Sequence, residues 1–160
     1  DLTKKSYASM VELEDYMYGS AEVIGLMMAR IMNLPKEAMT AAAKQGKAMQ
    51  YINFIRDVQE DVGLGRNYLN FEVSKINDVD YWQSLVTEWL KNYDRWQKEA
   101  EVGYRYIPKK YLIPVKTAAQ MYGWTAKQIK NNPMMVWRKK VKPAKAKIIW
   151  QIIINWLDPR

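Results

Sequence analysis

Apolar residues recur at helical spacing through most of the chain, and no alternating run bounded by turn residues reads as a strand pair. The pattern predicts an all-α fold of five helices. The first covers roughly residues 7–32, with Met10, Leu13, Met17, Ile24, Met28 and Ile31 marking an apolar face and Asn33-Leu34-Pro35 stopping it. The small residues Gly19, Ser20, Ala21 and Gly25 permit close packing of that helix on a neighbour. The second begins near Pro35, a good first-turn residue, and runs to about Asp61, where Gly63 and Gly65 end it and leave Val62–Asn70 as a loop. The third, rich in tryptophan and tyrosine, takes residues 79–106, and the fourth takes residues 112–131. The fifth begins near Pro143 and ends before Pro159.

With 160 residues, 49% of them hydrophobic, the chain is long enough to bury one sizeable core, which predicts a single α-helical domain over 1–160. Internal repeats, low-complexity tracts and Gly/Ser linkers are absent from the sequence, and the longest apolar run falls far short of a membrane span. The sequence opens on Asp1 without a charged-then-apolar leader. That predicts a cytoplasmic protein whose first residues have been cut from something longer.

Composition narrows the chemistry. Without cysteine there are no disulfides or thiolate metal sites, and without histidine the commonest general base and zinc ligand are gone. Oxygen ligands remain, which suit Mg²⁺ better than Zn²⁺. The net charge of +8 is uneven: residues 1–80 hold 12 acidic and 9 basic side chains, residues 81–160 hold 5 and 16. Such a basic half suits an anionic partner, whether nucleic acid, an anionic membrane surface or a phosphorylated small molecule.

On the second helix, Gln50, Asn53, Asp57 and Asp61 fall within about 80° of one another at 100° per residue, so four oxygen-bearing side chains share a face. Two carboxylates at i and i+4 with an amide oxygen one turn earlier can bind Mg²⁺ directly or through water, leaving positions for phosphate oxygens. Gly46 lies on the same stripe and predicts space for a substrate along the helix. Arg56 is placed to reach a diphosphate oxygen. A bare D-x-x-x-D is weak evidence by itself, because a solvated face pairing Asp57 and Glu60 with lysines or arginines has the same spacing.

The surrounding string carries more. Gly46 to Asp61 reads GKAMQYINFIRDVQED, followed from Gly65 by GRNYL; Tyr16 to Met27 reads YMYGSAEVIGLM. Ala118 to Tyr122 reads AAQMY, and Val136 to Pro143 reads VWRKKVKP. In this order the segments resemble the squalene/phytoene synthase family, the first string matching that family's second aspartate-rich helix.

The resemblance implies an all-α, isoprenoid-synthase-type helical bundle, represented here by the C-terminal part of the domain. It implies a transferase of prenyl groups that joins two prenyl diphosphates head to head through a cyclopropyl intermediate to a C30 or C40 hydrocarbon. The overall pattern favours geranylgeranyl diphosphate as substrate and phytoene as product, in carotenoid biosynthesis. Carried over, Asn53, Asp57 and Asp61 would hold Mg²⁺ or Mn²⁺, while Gln50, Arg56, Tyr122 and Arg138 would contact substrate. Tyr18 and Tyr68 would line the reaction cavity. NADPH would be needed only by a squalene synthase. Tyr18 and Tyr122 also read as core tyrosines, and Arg66 as a loop anchor or a substrate contact. Glu22 stands where the family pattern has a small residue, facing either substrate or solvent.

The family's first aspartate motif has no counterpart before Tyr16, since Asp1, Glu12, Glu14 and Asp15 do not match it. The expectation is a chain that is inactive alone. Loss of that motif also suits a non-catalytic relative acting as an interaction or assembly module. Finally, Arg138, Lys139, Lys140, Lys142, Lys145 and Lys147 precede the apolar run Ile148–Leu157. The segment Arg138–Leu157 reads as a peripheral membrane contact or as a core-closing helix with solvated lysines. No motif accompanies it that would support nucleic-acid binding.

Overall fold

The computed structural model describes residues 4–158, so Asp1 lies outside the described residues. Seven α-helices are present among them: α1 (Met10–Met17), α2 (Val23–Ile31), α3 (Met39–Arg56), α4 (Val58–Gly63), α5 (Val79–Glu101), α6 (Lys109–Asn131) and α7 (Lys145–Leu157). The described residues contain no strand, and a single parallel bridge joins Ser6 to Asn67.

Local chemistry fixes the ends. Ser9 caps α1 by accepting from the Glu12 amide at 3.3 Å, and the Glu12 carboxylate accepts from the Ala8 amide at 2.6 Å. Asp78 caps α5 through the Tyr81 amide at 3.0 Å. Behind α2, Asn33 takes the left-handed conformation (φ 53°), while the Leu34 amide donates to the Ala29 carbonyl and the Asn33 amide to Arg30. This is a Schellman ending, and it explains why the pattern stops at Asn33.

The predicted first helix is α1 and α2 joined by a π-turn over Tyr18–Glu22. A π-turn holds an extra residue, so everything after it is carried back around the axis. The face that meets α3 becomes Met17, Ala21, Gly25 and Ala29, whereas Ile24, Met28 and Ile31 are exposed. The apolar face read from the sequence therefore holds only as far as Met17.

Against α3 the packing is backbone to backbone. A Cβ on Gly25 would lie 2.1 Å from the Ala42 carbonyl oxygen, and one on Gly46 would lie 2.1 Å from that of Ala21. Gly46 thus admits a helix, and it also lines an apolar trough beside that contact. Beside this contact Lys47, 5% exposed, lies between Glu14 (2.8 Å) and Glu22 (3.0 Å) and over the Trp96 ring. Glu22 faces neither substrate nor open solvent: it ties the π-turn to α3.

Burial would lower the Lys47 pKa, but its hydrogen bonds to Glu14 and Glu22 outweigh it and raise the value above the ordinary 10.5. A folded-state pKa above the unfolded one gives stability that is present below 10.5 and lost as pH rises through the folded value. Lys47→Ala leaves Glu22 without its partner and is expected to cost about 2 kcal/mol at neutral pH. Urea melts should show the gap between variant and wild type narrowing in strong alkali.

The core sits where α3, α5 and α6 meet, around Tyr51, Ile52, Ile55, Trp82, Val86, Tyr93, Trp96 and Ile129. Phe71, from the loop after α4, packs edge-on to Trp82 and Trp89, and the Trp82 indole donates to the Pro133 carbonyl at 3.0 Å. The predicted third helix ends in a 3₁₀ turn over Val102–Tyr106. The fourth starts earlier than expected, at Lys109, and carries Pro114 inside it. A further 3₁₀ turn at Pro133–Trp137 leads to the basic segment.

Candidate functional site

The second predicted helix is interrupted at Asp57 (φ −98°, ψ 9°), which divides α3 from α4. Neighbouring side chains on a regular helix point 100° apart and do not meet. At this break they do: Arg56 Nε lies 2.9 Å from Asp57 Oδ1, and Nη2 lies 2.6 Å from Oδ2. Lys140 reaches in from the far end of the chain, 3.0 Å from Asp57 Oδ1 and 2.7 Å from Glu60 Oε2. The backbone bonds from Asp57 to Asn53 and from Asp61 to Asp57 persist, so the stripe keeps its one-turn spacing across the break.

Gln50, Asn53, Asp57 and Asp61 all line one cleft of about 340 Å³, together with Tyr16, Glu60, Arg66, Tyr68 and Lys140. Burial alone would push the Asp57 carboxyl up, but its bonds to Arg56 and Lys140 hold it below the ordinary value. Asp61 goes the other way, raised by burial and by the charge of Asp57, with Arg66 at 4.0 Å a partial offset. One wall is aromatic. Tyr68 packs on Phe54 and Tyr7, and Tyr7 stacks on Tyr16 at 5.2 Å; burial raises the Tyr7 phenol to about 12.

Next to the cleft runs an apolar trough of about 310 Å³ between α2, α3 and the start of α6, with Ile24, Met28, Ala42, Met49 and Val115 in its walls. Gln50 and Asn53 line both spaces, so the polar cleft and the apolar trough meet at those two side chains. Arg56 lines a third space with Tyr122, a groove of about 610 Å³ between α6 and α7.

The donor set fits a small hard cation. Asn53 Oδ1 is buried with no hydrogen-bond partner, a costly state for an acceptor that a cation or its water would relieve. Its companions Asp57 and Asp61 are carboxylates. No three carboxylates converge among the described residues, and an ion held by so few protein ligands must keep several waters, as Mg²⁺ does.

Three sequence-predicted residues stand outside the cleft. Tyr18, in the π-turn, is 57% exposed and lines neither the cleft nor the trough. Arg138 is exposed and absent from the cleft lining, whereas Lys140, two residues on, lines the cleft. Tyr122 reaches the groove beside Arg56 and is absent from the cleft lining. Tyr16, Tyr7 and Lys140 had no assigned role in the sequence reading. Tyr16 and Lys140 lie inside matching strings without having been singled out for the site, whereas Tyr7 is brought in only by tertiary structure.

The all-helical bundle, with a stripe of oxygen-bearing side chains and cations beside an apolar trough, has the all-α isoprenoid-synthase fold. The chain belongs to the squalene/phytoene synthase family, whose model matches residues 1–147. It is similar to a 15-cis-phytoene synthase from Synechocystis, 27% identical over 98% of this chain and 54% of that protein. A phytoene synthase from Thermus thermophilus is 39% identical over 80 residues, covering 50% of this chain and 28% of that one. The fold is that of a squalene synthase from Alicyclobacillus acidocaldarius, with a TM-score of 0.74 at 19% identity, covering 82% of this chain and 54% of the other. The chain spans about half the length of the curated relatives it matches.

Proposed function

We propose that this chain forms one metal- and diphosphate-binding wall of a prenyltransferase that joins two molecules of geranylgeranyl diphosphate head to head to give phytoene. The observation that carries the proposal is the meeting of the oxygen stripe and the apolar trough at Gln50 and Asn53. A prenyl diphosphate has the same two ends, an anionic head and an apolar tail.

In this reading Asn53, Asp57 and Asp61 would hold Mg²⁺, whose charge would offset that of a leaving diphosphate. Arg56, Arg66 and Lys140 supply the remaining positive charge at the head, and Gln50 orients it where cleft and trough join. Tyr68 and Tyr16 turn aromatic faces to the reacting carbons, where a π face favours positive charge. Met28, Ile24 and Met49 exclude water from the tail. Tyr18 and Arg138 have no part in this wall, and Tyr122 acts through Arg56.

The chain belongs to a prenyltransferase family but spans about half of its curated relatives, and its own residues supply a single aspartate stripe. Titration calorimetry of the chain with Mg²⁺ and geranylgeranyl diphosphate should show weak, metal-dependent binding, and product extraction should show no hydrocarbon. Robust phytoene formation by the chain alone would refute its inactivity. Diphosphate binding indifferent to Mg²⁺ would remove the metal wall and favour a non-catalytic assembly module.

A further inference from the structure

Helix α7 is seated the wrong way round for a core helix. Its one buried residue is polar: Asn155, 1% exposed, donates to Thr117 Oγ1 at 2.9 Å and to Gln120 Oε1 at 2.7 Å on α6. Gln151, one turn earlier, donates to Asn155 Oδ1 at 3.5 Å. At 100° per residue, Ile149, Trp150, Ile153, Ile154, Trp156 and Leu157 occupy the opposite side of the helix. All six are exposed, from 40% at Ile154 to 70% at Leu157. Among the described residues this run does not close the core: Asn155 docks on α6, Ile148 and Ile152 line the groove beneath, and the other apolar residues face outward.

We propose that the outward face of α7 docks on an anionic lipid bilayer. The charge around it supports that occupant. Lys139, Lys142, Lys145 and Lys147 are exposed on and just before the helix, and basic residues flanking an apolar face with tryptophans form the pattern that settles at a headgroup boundary. No helix among the described residues is long and apolar enough to cross a membrane, so the contact is one that lies on the surface. The family match ends at residue 147, leaving the outward face of α7 outside the matched part. The groove beneath α7 includes Arg56 and Tyr122 in its lining, which places the docked face beside the candidate site. The lipid contact itself does not depend on that site being catalytic.

Flotation of the 160-residue chain with phosphatidylcholine vesicles, with and without phosphatidylglycerol, tests this directly. Binding is expected only where phosphatidylglycerol is present. Trp150→Ser with Trp156→Ser should weaken it at least about tenfold. Lys145→Gln with Lys147→Gln should weaken it roughly 30-fold. Thermal melts of the tryptophan variant should stay near wild type, because its altered side chains point outward, and those of the lysine variant should fall only slightly, because the exposed Lys147 ammonium also lies over the Trp124 ring at 5.8 Å. Failure to bind anionic vesicles, equal binding to neutral ones, or binding that both variants leave intact would overturn the proposal. Sedimentation showing a dimer that the tryptophan variant dissociates would assign the face to a second copy instead.

Discussion

Replacing Gly46 with alanine is expected to cost about 3 kcal/mol of stability and to lower Tm by roughly 6–12 °C. The added Cβ would stand 2.1 Å from the Ala21 carbonyl oxygen and 2.8 Å from its carbon. Neither is the end of a flexible side chain, so the clash can be relieved only by moving α3 away from the π-turn and α2. That movement would also strain the Lys47 contact with Glu22, one residue along. Gly25→Ala meets the Ala42 carbonyl at the same 2.1 Å and should behave alike. Gly19→Ala is the control: nothing lies within 4 Å of the added carbon, and the variant should stay within about 0.5 kcal/mol of wild type. Denaturation followed by circular dichroism would measure all three. A Gly46→Ala protein as stable as Gly19→Ala would mean that α3 is not in backbone contact with the π-turn.

The helices were legible because their apolar periodicity is strong, and the oxygen stripe was legible because its members are spaced by one turn on a single element. Gln50, Asn53, Asp57 and Asp61 do share a cleft. What escaped the sequence depends on geometry that spacing does not encode. The π-turn at Tyr18–Glu22 inserts one residue into a continuous helix, leaves the pattern of residue types unaltered, and yet turns Ile24, Met28 and Ile31 outward. A glycine on a functional stripe reads the same whether it admits a substrate or a helix, and only the neighbouring Ala21 backbone shows that Gly46, which also lines the trough, admits a helix. Lys140 and Glu60 are 80 positions apart, so their pairing has no local signal. The outward face of α7 was ambiguous for another reason: apolar composition gives the amount of greasy surface, while the direction is set by where Asn155 finds partners.

The other large effect is expected at Asp57. Its two oxygens are clasped by Arg56 and Lys140, so any cation bound by this carboxylate must share it with two fixed positive charges. Asp57→Asn removes the charge that draws a cation while keeping the shape, and Mg²⁺ affinity measured by calorimetry should fall roughly 100-fold. Lys140→Gln separates the roles of carboxylate and lysine. With one competing cation gone, Mg²⁺ alone should bind several-fold more tightly. Magnesium-dependent binding of geranylgeranyl diphosphate should nevertheless weaken about tenfold, because the lysine's charge at the anionic head is lost. A purely structural ion pair would respond differently: both substitutions would lower stability, and neither would move the two affinities in opposite directions. The opposed response to Lys140→Gln, set beside the loss of both affinities in Asp57→Asn, would therefore distinguish a ligand-binding wall from a salt-bridged surface of the same composition.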